Sequence, residues 1–214
     1  MNRTFHNTFS AMLLEVNHIS KMFGRHSVLD DLSFRLDGGE CLALFGTNGA
    51  GKTTLLRILV GLLAADRGAV VFDGHPLCQH DLPSIGYLPE ERGLYRQMPV
   101  GEQLVYLARL KGMDKRAAED ATRWWLAQLG MEDTWSRLPQ TLSKGMQQRI
   151  QIAASVVHHP RLLLLDEPFS GFDSQGEELL VMHLRRLLDE GTAVVLSSHR
   201  RPLAASLATQ TLEL

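Results

Sequence analysis

The stretch "ECLALFGTNGAGKTTLLRILVGLL", residues 40–63, decides the fold. An apolar run of five residues after Glu40 reads as a buried strand, and a helical pattern of apolar residues begins after Lys52. Between them "GTNGAGKTT" fits G-x-x-x-x-G-K-[ST], with Gly46, Gly51, Lys52 and Thr53 at the fixed positions. Glycines there let successive backbone N–H groups point into one concavity at a helix N-terminus, which binds anions. The reading makes Asn48, Gly49, Ala50, Gly51, Lys52, Thr53 and Thr54 the phosphate-binding residues. Lys52 reaches toward β- and γ-phosphates, and the Thr53 hydroxyl is a ligand for Mg²⁺.

Working outward, "LLEVNHI" and "VLDDLSFRL" alternate or nearly alternate, as half-buried strands do, with "FGRHS" as the turn between them. "GAVVFDGHPL" reads as a strand and turn, and "SIGYL" as a further strand. The helix after the glycine loop is expected to run through "KTTLLRILVGLL". From residue 100 to 158 the pattern is helical only. "DKRAAEDATRWWLAQLG" opens on Asp114, a plausible N-cap, and ends at Gly130; "LSKGMQQRIQIAASVVHH" follows, with Ser143 as its cap candidate. Trp124 and Trp125 are adjacent on one helix and about 100° apart, so one of them is expected at the surface. Then come the buried strand "RLLLLDEP", the helix "SQGEELLVMHLRRLLDEG" and the strand "TAVVLSS". Strands separated by helices imply an α/β fold with a parallel sheet covered on both faces, and a helical subdomain beside it. After His199 there is room for one helix, "PLAASLA", and one strand, "TQTLEL".

The parallel arrangement gives meaning to what ends each strand, because open α/β sheets bind ligands at the carboxyl ends of their strands. Asp166 and Glu167 end one strand; Asp166 suits a Mg²⁺-holding acid and Glu167 a group that orients or deprotonates an attacking water. His199 follows the next strand, where an imidazole could bond a γ-phosphate as readily as it could serve structure. Ser143 and Gly145 open the "LSKGMQQRI" helix with a hydroxyl and an unobstructed amide, features of an anion site as well as of an ordinary cap.

Composition bounds the rest. At 44% hydrophobic and 21% charged the chain is an ordinary globular composition, and a formal charge of −2 argues against binding nucleic acid by bulk electrostatics. Cys41 and Cys78, the only two cysteines, form no disulfide framework, and a reducing compartment is expected. No apolar run reaches the 18 or so residues of a membrane span. The opening "MNRTFHNTFSAM" has no apolar core of a signal peptide, so residues 1–13 are expected to be a tail, or translation to begin at Met12.

Taken in order, residues 46–54, Glu90, residues 142–148, Asp166 with Glu167, Asp173 and His199 resemble the motifs of the ATP-binding-cassette (ABC) ATPases. The resemblance covers nearly the whole chain from residue 14. It implies a P-loop NTPase fold with a RecA-like parallel core sheet, an N-terminal antiparallel β subdomain and an α-helical subdomain, roughly residues 97–158. It implies ATP and Mg²⁺ as ligands, Glu167 as the catalytic carboxylate and His199 as the switch histidine, with Lys52 on the phosphates. Phe23 in "KMFG" matches the adenine-stacking aromatic. Thr53, Glu90 and Asp166 match the metal set. Ser143 and Gly145 match the signature positions that touch ATP held by a second protomer in a head-to-tail dimer, and "SGFD" (170–173) matches the loop through which protomers communicate.

Three positions depart from the family pattern: Lys144 and Met146 replace the first Gly and the Gln of the usual Leu-Ser-Gly-Gly-Gln signature, and Glu90 stands where a Gln is usual. "YLPEERGLY" with "LSKGMQQ" looks most like ABC-2-type exporters. The implied role is an ATPase at the cytoplasmic face of the inner or plasma membrane. It would pair with itself or a related ATPase and drive membrane-spanning permease subunits on a separate chain, through a groove near residues 90–96, with no nucleic acid involved. The rival readings are a soluble ABC ATPase acting on nucleic acid or ribosomes, which usually carries coiled-coil insertions or basic segments, and a P-loop kinase of a small molecule.

Overall fold

The computed structural model describes residues 12–91 and 93–214; the expected N-terminal tail lies largely outside them. Two sheets form. The antiparallel one has the order β2-β1-β4-β5, built from β1 (Leu14–Phe23), β2 (His26–Leu36), β4 (Arg67–Phe72) and β5 (His75–Pro76). The second has the order β6-β7-β8-β3-β9, from β6 (Ile85–Leu88), β7 (Leu162–Asp166), β8 (Ala193–Ser197), β3 (Cys41–Phe45) and β9 (Gln210–Glu213). All four pairings in this second sheet are parallel. The α/β class and the antiparallel N-terminal unit are therefore as the sequence implies, and the C-terminal residues do supply an edge strand beside β3.

The alternation of side chains along the parallel strands divides the core in two. Leu42, Leu44, Leu162, Leu164, Ala193 and Val195 face α1 (Lys52–Leu59) and the antiparallel sheet. Cys41, Ala43, Leu163, Leu165, Val194 and Leu196 face the other way, into a core shared with α2 (Val100–Leu110), α3 (Lys115–Gln128), α4 (Lys144–Val156), α5 (Ser174–Asp189) and α6 (Arg201–Leu207). Burial of Cys41 in this sheet pushes its thiol up to about 12.

Local chemistry sets several boundaries. The helix after the glycine loop stops at Leu59, four residues before the expected end. Gly61 adopts φ +74°, its N–H donates to Ile58 O at 3.0 Å, and the Leu62 N–H donates to Arg57 O at 2.9 Å, the paired bonds of a Schellman cap. The β1–β2 turn is tighter than "FGRHS" suggests: Gly24 at φ +61° lets Phe23 and His26 pair directly. Asp114 caps α3 by accepting from the Arg116 and Ala117 amides. Trp125 is buried and Trp124 is 36% exposed, the two rings meeting edge-on at 4.9 Å. Helix α4 lies close on β6, since a Cβ at Gly86 would come within 2.1 Å of Ser155 O.

Candidate functional site: a phosphate loop and two carboxylates at one sheet edge

Because the core strands run parallel, their carboxyl ends share one edge, and each delivers a functional segment there. From β3 comes the glycine loop. Gly46, Gly49 and Gly51 all take positive φ (144°, 83° and 105°), which only glycine adopts without strain. Gly51 also touches the antiparallel sheet so closely that a Cβ would come within 2.8 Å of Leu29 Cδ2 and 2.9 Å of Val28 O. The N-terminal β unit thus fixes the height of the loop. No side chain caps α1, so the amides of its first turn are left for a ligand. The Lys52 ammonium is buried and donates to Gly46 O at 2.9 Å and Thr47 O at 3.1 Å.

The ends of β7 and β8 are stitched together by Ser197. Its hydroxyl donates to Asp166 Oδ1 at 2.6 Å and accepts from the Glu167 N–H at 3.0 Å. Asp166 is 1% exposed, and its Oδ2 has no hydrogen-bond partner among the described residues. A buried carboxylate oxygen left in this state is costly unless a cation or donor completes it. Glu167 sits in the left-handed region at φ +50°, a conformation that costs a non-glycine residue roughly 1–3 kcal/mol. It is held by the Ser197 contacts, by Ser170 N donating to its carbonyl at 3.1 Å, and by His199 N donating to its Oε2 at 3.1 Å. Its Oε1 stands 3.5 Å from His199 Nε2.

Asn48, Gly49, Gly51, Lys52, Thr53, Thr54, Glu90, Asp166, Glu167 and His199 line a single polar cleft of about 230 Å³. Four other expected residues lie outside its lining. The Ala50 side chain packs toward Gly46. Phe23 is 52% exposed at the end of β1, with the Lys21 ammonium 5.7 Å from its ring centroid. Ser143 caps α4, accepting from Met146 N at 3.2 Å, and Gly145 lies in the first turn against Gly171 O of the "SGFD" loop. Asp173 of that loop caps α5 through Gly176 N at 2.8 Å.

Ser197 has no motif to announce it, and its placement against Asp166 depends on the strand register. The glutamines of α4 are likewise silent in sequence. Gln148 Nε2 donates to Pro168 O and Gln151 Nε2 to Glu91 O, both at 3.3 Å, so the helix that begins at Ser143 is bonded to the segment after Glu167 and to the one holding Glu90.

A glycine loop cradling a helix N-terminus, with a buried lysine and two strand-end carboxylates, defines a P-loop nucleotide-binding protein. Known proteins narrow this. The family described as ABC transporter matches residues 29–170. An uncharacterized ABC transporter ATP-binding protein of Bacillus subtilis (strain 168), YhaQ, is 45% identical over 188 residues, covering 88% of this chain and 63% of that protein. The sulfate/thiosulfate import ATP-binding protein CysA of Pseudomonas aeruginosa is 36% identical over 185 residues, 84% of this chain and 56% of its own length. A solved structure described as the ATP binding subunit of an ABC transporter superposes with a TM-score of 0.88 at 31% identity, covering 94% of this chain and 85% of that one. The chain belongs to the ABC transporter family as an ATP-binding subunit, and it spans less than two thirds of the length of these two curated relatives. Among the described residues no helix is long and apolar enough to cross a membrane.

Proposed function

We propose that this chain hydrolyses ATP between two head-to-tail protomers and passes the resulting opening and closing to membrane-spanning subunits on another chain. The observation that carries the reading is the division of groups. The phosphate loop, Asp166, Glu167 and His199 share one cleft, while the anion-suited helix start at Ser143 and Gly145 lies outside it, available to a second protomer's nucleotide.

In this reading Lys52 leaves the Gly46 and Thr47 carbonyls for the β- and γ-phosphate oxygens, exchanging neutral acceptors for charged ones. The α1 amides and the loop from Asn48 to Thr54 hold the phosphate chain, and Phe23 offers its exposed ring to the base. The orphaned Asp166 Oδ2 and the Thr53 hydroxyl fit Mg²⁺, with Glu90 at the rim of the same cleft. Bound Mg²⁺ would neutralise charge on the phosphate oxygens. Glu167, its Oε2 held by the His199 amide, keeps Oε1 free to orient a water and take its proton; His199 Nε2 bonds the γ-phosphate. We take residues 14–214 as one ATPase unit, with 97–158 as its helical subdomain.

A groove of about 400 Å³ beside Glu90 suits the membrane subunits. Leu62, Pro89, Leu94, Leu107 and Leu110 line it, and exposed Tyr95 and Tyr106 stack edge-on at 6.3 Å nearby. Such an apolar surface fits a short helical loop of a permease at the cytoplasmic membrane face. Export rests on "YLPEERGLY" and "LSKGMQQ" alone, because an import protein is among the relatives at comparable identity.

The test is the mass in solution of Glu167→Gln, with and without MgATP. The expected result is an ATP-dependent dimer that disappears when Ser143→Arg is added. A protein that binds MgATP and stays monomeric would overturn dimer formation by this chain alone.

A further inference from the structure

Away from the cleft, a turn in the antiparallel sheet gathers three side chains of different chemistry. Asp73 and Gly74, both left-handed at φ +52° and +83°, form a tight Asp-Gly turn that starts β5 at His75. Three residues on, Cys78 precedes the short 3₁₀ turn Gln79–Ser84, and Asp81 Oδ2 accepts the Cys78 N–H at 2.8 Å. The donor atoms of His75, Cys78 and Asp81 all lie within 4.8 Å of one another. Asp81 is buried, while His75 and Cys78 are open to solvent.

The histidine is already oriented. His75 Nδ1 lies 3.2 Å from Pro76 O. A carbonyl only accepts, so Nδ1 carries the proton and the neutral ring keeps its lone pair on Nε2. That nitrogen faces Asp81 Oδ1 at 3.4 Å. Two acceptors so placed need a cation between them, either a second ring proton or a metal. A ring N–H held by a backbone carbonyl is the usual support of a metal-bound histidine. Two ligands at 2.0–2.2 Å from a tetrahedral Zn²⁺ stand about 3.4 Å apart, the separation found here.

We propose that His75 Nε2, Cys78 Sγ and Asp81 Oδ1 form a binding site for a thiolate-accepting divalent transition metal of the Zn²⁺ class, with solvent as the fourth ligand. A mixed nitrogen, sulfur and oxygen set selects against Mg²⁺, which takes oxygen ligands. Thr53, Asp166 and Glu90 contribute nothing to it. The site clamps the start of the segment that runs through β6 to Glu90, so occupancy stiffens that approach to the nucleotide cleft.

Co²⁺ is the probe, titrated into chelator-treated, nucleotide-free full-length protein lacking a histidine tag. The expected result is one equivalent bound with a tetrahedral visible spectrum and a sulfur-to-cobalt charge-transfer band, both removed by Zn²⁺. Cys78→Ser should abolish the charge-transfer band. His75→Ala and Asp81→Asn should each weaken binding by roughly tenfold or more. Because Cys41 is buried in the sheet, Cys78 is the one thiol of the chain that can give this band. Cys78→Ser should retain MgATP binding, which separates failure of this proposal from failure of the nucleotide reading. Co²⁺ binding without the band, or with a band unchanged in Cys78→Ser, would overturn the site. Absence of binding in large excess of metal would leave an ordinary His75–Asp81 ion pair.

Discussion

Replacing Ser197 by alanine tests how the carboxylate pair is held. The residue is fully buried, and the change removes one oxygen with almost no change of shape. Glu167 N loses its 3.0 Å bond but keeps a 3.2 Å bond to Ser197 O, so its share is small. Asp166 loses more. Its Oδ1 gives up a 2.6 Å bond from the hydroxyl, and its Oδ2 has no partner among the described residues. A hydrogen bond to a charged group contributes about 1.5–3 kcal/mol, so the nucleotide-free variant should lose about 2 kcal/mol. With a urea slope of about 2 kcal/mol per molar, the unfolding midpoint should fall by about 1 M at unchanged slope. MgATP should narrow the gap, because a cation at Asp166 compensates for the lost donor. A loss below about 0.5 kcal/mol, the size of an ordinary surface substitution, would refute the reasoning. It would mean that solvent already satisfies the aspartate.

Two further changes probe packing and protonation. Gly86→Ala drives a Cβ to 2.1 Å from Ser155 O, a backbone atom of a packed helix, and 2.9 Å from Leu163 Cδ1; overpacking of this kind should cost about 3 kcal/mol and lower the melting temperature by roughly 6–12 °C. His158, half-buried beside Lys111, has its pKa lowered from 6.5 to about 4 by desolvation and by that neighbouring charge. Between those values the unfolded chain binds more protons than the folded one. Stability should therefore fall as pH drops from about 6.5 toward 4, by up to about 3 kcal/mol from this residue. Urea unfolding of His158→Gln should show a shallower loss between pH 7 and 4.5 than the parent; an equal loss would assign the acid sensitivity elsewhere.

What the sequence discloses here depends on range. The glycine loop is legible because its chemistry sits within nine consecutive residues, flanked by patterns of opposite period. The "LLLLDEP" strand is legible because both of its faces are buried, and so every position is apolar. The Ser143 cap can be read from local hydrogen-bonding chemistry alone. The contact between Ser197 and Asp166 cannot, since it joins residues 31 apart through the register of two parallel strands. The early stop of α1 is local, but the pattern "LVGLL" stays apolar past Gly61 because Leu63 still packs on the core after the helix has ended. His75, Cys78 and Asp81 are close in sequence, yet they fall in a turn-rich stretch without periodicity, and only the 3₁₀ turn that Cys78 opens brings them together. The order of motifs from Gly46 to His199 led to the family, whereas the direction of transport has no counterpart in any contact within the chain.

Helix α4 is 13 residues long, about 20 Å from end to end. Its first turn abuts Gly171, its middle is tied to Pro168 and Glu91 by single neutral amide bonds, and its far end is pressed on β6 at Gly86. The far end is thus the closest-packed part, while Leu142 and Met146 hold the Ser143 end on the core. Each amide tie contributes only about 1 kcal/mol, so either can be exchanged without loosening the close-packed end. The same rod therefore links the stretches that follow Glu167 and Glu90, so a shift of one is shared with the other through a single helix.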